Sequence, residues 1–430
     1  MSEKSSGIFG LYFKSNLLLR ILAALILGGI AGIIFQNATG MINFLQPFGD
    51  LFIRLLKMII VPVVMASLIV GCSSIAPSEL GRVGLKIIAF YLLTSFMAIV
   101  IGLFVGAVIN PGAGLNIVGA AGAVAKEASS PTITQILLNL VPTNPFEAMA
   151  KADILQIITF SIFFGIGLSF LKDSKEEGLS RLGHQLYDFF EAINQIMFKI
   201  IRWIMEYAPI GVFALIFVVF SKQGATAFGS LLNVTVSVYI ALILQVVAVY
   251  CVICLIVKLN PLTFLKKVRE PMITAFVTRS SSGTLPVSMK TADEEMGVPK
   301  GIYGFTLPVG ATVNMDGTTI YLGVCAIFIA NAVGVPLDMA AKLTVVLTAV
   351  LASIGTAGVP GAGAIMLLMV LESVGLNVEA GSAVAAAYAL ILGIDALLDM
   401  GRTSMNVVGD MIGTVVVAKS EGQLDMKKWE

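Results

Sequence analysis

Five polar side chains share one face of the last long apolar segment of the chain, at about residues 383–418. At about 100° per residue, they fall within an arc of roughly 80° on a helix. An ionised side chain at the centre of a bilayer costs about 2.5–3.5 kcal/mol, so such a stripe indicates an ion or substrate pathway. A structural ladder, in which an Asp and an Arg three residues apart pair, is the alternative. The stripe consists of Asp395, Asp399, Arg402, Asn406 and Asp410.

A second polar site interrupts the preceding apolar segment at residues 314–318, which read NMDGT. An Asn/Asp/Gly break frees backbone carbonyls at membrane depth, and carbonyls with a carboxylate form an oxygen cage that suits an alkali cation. Asp316 and Asp410 are the candidate charged ligands. A simple helix kink is the alternative, although a kink does not require a buried carboxylate.

Two further segments have short apolar arms that meet at a turn. Residues 271–289 contain the turn RSSSG, and residues 343–371 contain SIGTAGVPGAGAIML. Because neither arm spans a hydrocarbon core of about 30 Å, the pair predicts re-entrant hairpins with a binding site where their tips meet. Hydroxyl and turn N–H groups at the first tip suit a carboxylate. Kinked spanning helices, and a turn that is rich in serine by chance, are the alternatives.

Together these groups are complementary to an α-amino dicarboxylate. Arg402 offers a guanidinium fork that matches a carboxylate. Asp399 would hold the ammonium group, and sodium ions would neutralise Asp316 and Asp410. Ion binding would then be linked to substrate binding.

Composition places these segments in a bilayer. Of 430 residues, 57% are hydrophobic and 12% charged, with a mean hydropathy of +0.96. Soluble domains carry about 25% charged residues, so a soluble protein is excluded. The net charge of +1 gives no sign of nucleic-acid binding. Region 113–150 reads as a loop followed by short helices. Spanning segments are predicted at about 17–35, 47–73, 85–109, 152–171, 196–220 and 228–257.

Lysine and arginine concentrate in alternate connections, which predicts a multi-pass protein of the cytoplasmic (inner) membrane with both termini in the cytoplasm. No Ser/His or metal-ligand constellation suggests an enzyme, and the single histidine, His184, lies in a charged region that reads as a loop. The basic residues on the predicted inner side are Arg82, Lys86, Lys172, Lys175, Arg181, Lys258, Lys266, Lys267, Arg269, Lys290, Lys300, Lys419, Lys427 and Lys428.

Four motifs, TRSSSGTLP, NMDGT, GTAGVPGAG and GIDALLDMGRTSMNVVGD, resemble the glutamate transporter family of dicarboxylate/amino acid:cation symporters. The chain looks most similar to archaeal and bacterial Na⁺-coupled aspartate/glutamate members, over nearly its whole length. The resemblance implies an all-α polytopic membrane protein with eight transmembrane helices plus two re-entrant helical hairpins in inverted repeats. It also implies a homotrimer in which a transport unit slides like an elevator against a fixed scaffold, with the second hairpin as the gate.

The same resemblance divides the chain into four parts. Residues 1–82 would be scaffold helices 1–2, residues 83–112 transport-domain helix 3, and residues 113–222 scaffold helices 4–5. Residues 223–430 would complete the transport domain, with hairpin 1 at about 261–291 and hairpin 2 at about 337–374.

Individual roles also follow from the resemblance. Substrate contacts would come from Ser281, Thr318, Val359, Gly363, Asp399, Arg402, Thr403 and Asn406. About three Na⁺ sites are implied. The first would use Gly310, Asn314, Asn406 and Asp410; the second Ser353, Ile354, Thr356 and the NMDGT segment; the third Tyr91, Thr94, Ser95, Asn314 and Asp316.

Comparison within the family favours Na⁺-coupled symport of aspartate, glutamate or both, which differ by one methylene that the sequence does not resolve. Neutral amino acid members lack the arginine at Arg402, and C4-dicarboxylate members lack the carboxylate at Asp399. Mammalian-type members, which also move protons and potassium, carry a glutamate where this chain has Leu322. A C4-dicarboxylate symporter, a proton-coupled glutamate symporter and, in a different class, an ion or anion channel are the alternatives.

Overall fold

The structure is a computed structural model that describes residues 17–73, 81–115, 117, 138, 140–224, 226–354, 358, 360–379 and 381–429. Throughout these residues the regular structure is helical, without a β-strand. Seven helical stretches are long and apolar enough to cross a membrane, and shorter apolar helices accompany them. The chain is an all-α polytopic membrane protein, as the sequence predicts.

The helices follow the predicted apolar segments closely. A π-helical turn, Val246–Tyr250, follows the helix Thr226–Gln245, and a second, Thr291–Glu295, follows the helix Ser281–Lys290. In chain order the helices are α1 (Leu17–Ile34), α2 (Thr39–Met58), α3 (Ile60–Ser73), α4 (Arg82–Ile109), α5 (Pro145–Lys151), α6 (Ile154–Lys172), α7 (Glu177–Gln223), α8 (Thr226–Gln245), α9 (Cys251–Ile256), α10 (Pro261–Thr278), α11 (Ser281–Lys290), α12 (Lys300–Val313), α13 (Asp316–Ala332), α14 (Met339–Ser353), α15 (Ala362–Ser373) and α16 (Ala383–Ser420).

These helices pack in two groups. Helices α1, α2, α3 and α6 pack mainly on α7 and on one another. The second group is built around α13 and α16, which are joined by α4, α8, α10, α11, α12 and α14. Helices α13 and α16 are apolar on most sides and buried over most of their length, so they form the core of this group.

Glycines allow the closest helix contacts in both groups. A Cβ atom on Gly28 of α1 would lie 2.8 Å from the Phe213 carbonyl oxygen of α7. In the second group, a Cβ atom on Gly102 of α4 would lie 2.6 Å from the Ile320 carbonyl oxygen of α13. Because apolar side chains gain little from leaving lipid, membrane helices depend on such close backbone packing.

The first predicted hairpin is formed by α10 and α11, whose arms have 18 and 10 residues. Arg279 ends α10 in the left-handed conformation, with φ of 54°, and Ser280 caps α11 by accepting a hydrogen bond from the Gly283 amide. The second hairpin is formed by α14 and α15, with 15 and 12 residues. Of its tip, residues 355–357 and 359 lie outside the described part of the chain.

The NMDGT motif separates α12 from α13. Asn314 is extended, with φ of −90° and ψ of 104°, and Met315 also leaves the helical conformation, with φ of −125° and ψ of 45°. A helix end leaves its last carbonyls without intrahelical partners, so the break exposes backbone oxygens inside the protein. One expectation was wrong: His184 lies in α7, where it is exposed, and not in a loop. The charged residues around it are the solvated first turns of a 47-residue helix.

The glycine contact between α4 and α13 predicts a stability effect. Gly102→Ala should lower the midpoint of thermal unfolding in detergent, because overpacking a close contact costs about 1–3 kcal/mol. Gly304→Ala in α12 is the matched control: no atom lies within 4 Å of its Cβ position, and alanine is the better helix former. Equal midpoints for the two variants would contradict the proposed close packing.

Candidate functional site

A polar cavity lies where the two hairpin tips approach α13 and α16, with about 260 Å³ of empty space that is partly open to solvent. It contains every expected substrate contact within the described residues; Val359 lies outside them. Met315, Gly358 and Ala362 also line the cavity, and the sequence reasoning did not single them out. The expected residues that line it are Ser281, Thr318, Gly363, Asp399, Arg402, Thr403 and Asn406.

The two hairpin tips are in direct contact at this cavity. The Ser280 hydroxyl donates a hydrogen bond of 2.8 Å to the Gly358 carbonyl oxygen and accepts one of 3.0 Å from the Gly283 amide. A Cβ atom on Gly358 would meet the Ser281 side chain at 2.8 Å, so only glycine fits without a shift. The first tip therefore closes against the second, above the polar face of α16.

Arg402 is the central charged group of the cavity and is only 2% exposed. Its Nε atom donates to Asp399 Oδ1 at 3.0 Å, and its Nη1 atom donates to Asp395 Oδ1 at 2.9 Å. The guanidinium lies 4.6 Å from the centre of the Tyr321 ring, a cation–π contact. A Cβ atom on Gly363 would overlap the guanidinium. Of the five N–H donors of an arginine, these two bonds use one on Nε and one on Nη1, which leaves one on Nη1 and two on Nη2.

Two buried polar atoms in the cavity have no hydrogen-bond partner within the described residues: Asp399 Oδ2 and Ser281 Oγ. The other Asp399 oxygen is saturated, because it accepts from Arg402 and, at 3.0 Å, from the Thr403 hydroxyl. An unpaired buried polar atom costs about 1–3 kcal/mol. The cavity therefore presents one free acceptor and one free hydroxyl to a ligand.

Asn406 connects α16 to the start of α13. Its Oδ1 atom accepts hydrogen bonds from the Gly317 amide at 2.8 Å and the Thr318 amide at 3.3 Å. Its Nδ2 atom donates to the Thr318 hydroxyl at 3.1 Å. The side chain thus satisfies amides at the N-terminus of α13, and it holds the broken segment against the stripe on α16.

A first oxygen-rich cluster surrounds Asp410. Asn314 Nδ2 donates to the Asn406 carbonyl oxygen and to Asp410 Oδ1, both at 3.0 Å. A Cβ atom on Gly310 would lie 2.6 Å from Asp410 Oδ1 and 2.7 Å from the Tyr91 hydroxyl oxygen. The structure therefore brings together Gly310, Asn314, Asn406 and Asp410, the first expected ion set.

A second cluster surrounds Asp316, which is fully buried. Its Oδ1 atom accepts from the Ser95 hydroxyl at 2.7 Å and the Thr94 hydroxyl at 3.3 Å. Its Oδ2 atom accepts from the Tyr250 hydroxyl at 2.7 Å and from Gln245 Nε2 at 3.3 Å. The YLLTS segment thus lies beside Asp316 as expected. Tyr91, in contrast, donates to the Thr306 carbonyl oxygen at 3.0 Å, nearer the Asp410 cluster.

The remaining expected set is only partly visible. Ser353 is buried at the end of α14, where its hydroxyl donates to the Val350 carbonyl oxygen at 2.7 Å. Ile354 ends that helix in an extended conformation, and Thr356 lies outside the described residues. Within the described part of the chain, no hydrogen bond joins Ser353 or Ile354 to the NMDGT segment.

Sequence reasoning missed several partners of the site. Asp395 belongs to the polar stripe, so its pairing with Arg402 could have been found from the spacing. Tyr321, Gln245 and Tyr250 lie in apolar helices, and nothing in their spacing marks them.

An ion pair lies just beyond the end of α16, where hydrogen bonds from Lys86 and Arg82 of α4 lower the pKa of Glu421. That contact ties the start of α4 to the end of α16.

The charges of the site do not balance. Four carboxylates, each at most 6% exposed, face one buried guanidinium, and an uncompensated buried charge costs several kcal/mol. The site therefore requires bound cations or protons. The carboxylates are Asp316, Asp395, Asp399 and Asp410.

The sequence of the chain matches a known protein family over nearly its whole length. Residues 17–420 match the sodium:dicarboxylate symporter family. The proton/sodium-glutamate symport protein of Bacillus subtilis (strain 168) is 34% identical over 425 residues, which cover 97% of this chain and 95% of that protein. The proton/glutamate-aspartate symporter of Escherichia coli (strain K12) is 35% identical over 430 residues, covering 96% and 95%.

A third relative is named for a different substrate. The C4-dicarboxylate transport protein of Bacillus subtilis (strain 168) is 32% identical over 424 residues, which cover 96% of this chain and 95% of that protein. The family and these relatives are transporters, not enzymes. With a family match over nearly the whole chain and a polar site enclosed by broken helices, this chain belongs to the sodium:dicarboxylate symporter family.

Proposed function

We propose that this protein is a Na⁺-coupled symporter of an acidic amino acid, L-aspartate, L-glutamate or both. The observation that carries the proposal is the free oxygen of Asp399. Asp399 lines the cavity, and this buried oxygen has no hydrogen-bond partner within the described residues, whereas the other oxygen accepts from Arg402 and Thr403. A free carboxylate oxygen is the group that a substrate ammonium needs, and a dicarboxylate without an amino group would leave it unpaired.

The rest of the cavity suits the two carboxylates of the same substrate. Arg402 keeps unused N–H groups on Nη1 and Nη2, and the end of the guanidinium that carries both atoms has the fork geometry that matches a carboxylate. Ser281 offers a free hydroxyl to the other. Thr318, Gly363, Thr403 and Asn406 complete the proposed contacts, with Val359 added on the strength of the resemblance alone.

Sodium is the proposed coupling ion because Asp316 and Asp410, which are buried outside the substrate cavity, lie among hydroxyl, carbonyl and amide groups. Unwound backbone carbonyls that coordinate Na⁺ are typical of transporters with broken helices. Na⁺ beside Asp410 and Asp316 would neutralise both groups. The proposed ligands are Gly310, Asn314, Asn406 and Asp410 for one ion, Tyr91, Thr94, Ser95, Asn314 and Asp316 for another, and Ser353, Ile354 and Thr356 with the NMDGT segment for a third.

The competing functions differ in the ion or the substrate. Protons could neutralise the same carboxylates, and the names of the Bacillus subtilis and Escherichia coli glutamate symporters include the proton. Against this, the position at which mammalian-type members carry a glutamate is Leu322, which is fully buried and cannot carry a proton. A C4-dicarboxylate would need no free Asp399 oxygen. A channel would not need a cavity closed between two tips.

We also propose that the two helix groups are the moving parts. Residues 1–82 and 113–222 would form a fixed scaffold within a homotrimer, and residues 83–112 and 223–430 a transport unit that moves as an elevator. Helices α1–α3 and α6 pack mainly on α7 and on one another, which supports this division, and α16 of the second group also contacts α1 and α7. Hairpin 2 would act as the gate. The excess of basic residues in the connections predicted to lie on the inner side supports a protein of the cytoplasmic membrane with both termini in the cytoplasm.

Uptake into proteoliposomes tests the coupling ion and the substrate class. Radiolabelled L-aspartate should accumulate under an inward Na⁺ gradient, and not under a K⁺ or proton gradient alone. Glutamate should compete more strongly than succinate. Accumulation driven by the proton gradient alone would support a proton-coupled symporter, and preferred competition by succinate would support a C4-dicarboxylate carrier.

The free Asp399 oxygen predicts a change in selectivity. Asp399→Asn should weaken L-aspartate binding by at least roughly 30-fold, since breaking a buried, hydrogen-bonded charge pair costs about 2 kcal/mol or more. Succinate, which has no ammonium group, should lose far less. The measurement is the ratio of the two inhibition constants in the uptake assay.

Asp395→Asn is the matched control for this selectivity change. Asp395 also pairs with Arg402, but it does not line the cavity between the tips. The control should therefore change aspartate and succinate affinity together, through Arg402. If both variants change the ratio equally, Asp399 does not hold the ammonium group.

A further inference from the structure

The π-helical turn between α8 and α9 brings two side chains to the carboxylate of Asp316. In a regular α-helix, residues five positions apart point about 140° away from each other. The turn Val246–Tyr250 changes that relation, so that Gln245 and Tyr250 both reach Asp316 Oδ2. Such turns are frequent at functional sites. Neither residue belongs to the ion sets described above.

The amide of Gln245 is completely buried and only half satisfied. Its Nε2 atom donates to Asp316 Oδ2 at 3.3 Å and to the Thr94 carbonyl oxygen at 3.4 Å. Its Oε1 atom is buried and has no hydrogen-bond partner within the described residues. The amide therefore directs its positive end at two oxygens of the proposed ion site and leaves its acceptor unused.

A cation at these oxygens would conflict with the amide hydrogens. A side-chain amide has a donor end and an acceptor end of nearly the same shape, so rotation by about 180° exchanges them in place. After such a rotation, Oε1 would face the cation together with Asp316 and the Thr94 carbonyl, and Nε2 would leave the site.

A Cβ atom on Gly409 of α16 would lie 2.7 Å from the Tyr250 hydroxyl oxygen and 3.3 Å from Asp316 Oδ2, so a larger residue there would crowd the cluster.

We propose that Gln245 is a ligand of the Na⁺ site at Asp316: its amide nitrogen occupies the site oxygens when no cation is present, and its Oε1 atom binds the cation after the amide rotates. Tyr250 is a positioning residue that holds Asp316 Oδ2. The inference rests on the proposed sodium coupling. It adds a helix, α8, to a site that the resemblance builds from α4 and the α12–α13 break alone.

Na⁺ binding to the purified protein without substrate tests this role. NaCl is titrated calorimetrically into protein in choline chloride, and the Na⁺-dependent rise in unfolding temperature gives a second readout. Gln245→Leu removes both ends of the amide and should raise the half-saturating Na⁺ concentration about tenfold or more. Gln195→Leu, the same change at an exposed position of α7, should bind Na⁺ as the wild type does.

Gln245→Glu preserves the shape of the side chain and distinguishes between two roles of Gln245: a ligand of Na⁺, or a residue that only holds Asp316 in place. A glutamate that binds the cation must lose its proton, so Na⁺ affinity should become pH-dependent and increase with pH. If Gln245 only holds Asp316 in place, the protonated glutamate can still donate to it, whereas the ionised glutamate would repel it, so Na⁺ affinity would fall as the pH rises. Absence of Na⁺ binding in the wild type would refute the proposed sodium coupling itself. Wild-type binding that Gln245→Leu retains unchanged would refute the role of Gln245 alone.

Discussion

An excess of buried negative charge is the constraint on which the rest of this structure depends. Asp316, Asp395, Asp399 and Asp410 are buried, and the Arg402 guanidinium pairs with Asp395 and Asp399. A low-dielectric interior makes such a set costly unless every charge has a partner. The protein meets part of this cost with hydroxyl and amide donors. The charge that these donors do not compensate requires bound cations and the ammonium group of a substrate. This requirement is the physical basis for linking ion binding to substrate binding.

The irregular backbone of the fold follows from the same constraint. A continuous α12–α13 helix would satisfy its own carbonyls and offer none to a cation, so the break at Asn314 and Met315 is what creates oxygen ligands at this depth. The hairpin tips bring the Ser281 hydroxyl over the α16 stripe without a full spanning helix. Irregular backbone is tolerated inside a membrane only where protein or a polar cavity surrounds it. The contact of Ser280 with Gly358 provides that enclosure.

The parts predictable from sequence are those with a periodic or compositional signal. The stripe on α16 follows from helical spacing, the spanning helices from apolar length, and the hairpins from turn residues between short arms. The π-helical turn between α8 and α9 has no such signal, because Gln245 and Tyr250 lie in an otherwise uniform apolar helix. Their approach to Asp316 depends on tertiary packing between α4, α8 and α13. The cation–π contact of Tyr321 with Arg402 is hidden for the same reason, and the assignment of His184 to a loop failed because solvated helix turns and loops share a composition.

The central claim, that cations complete the charge balance of an amino acid site, is tested most directly by equilibrium binding. L-Aspartate is titrated calorimetrically into the purified protein at a series of Na⁺ concentrations, with choline keeping the ionic strength constant. Linkage requires that Na⁺ and the substrate strengthen each other's binding by the same factor. The account predicts an affinity that rises with Na⁺ by more than tenfold for each tenfold increase in concentration, because more than one ion binds. An affinity that is equal in Na⁺ and in choline would contradict it.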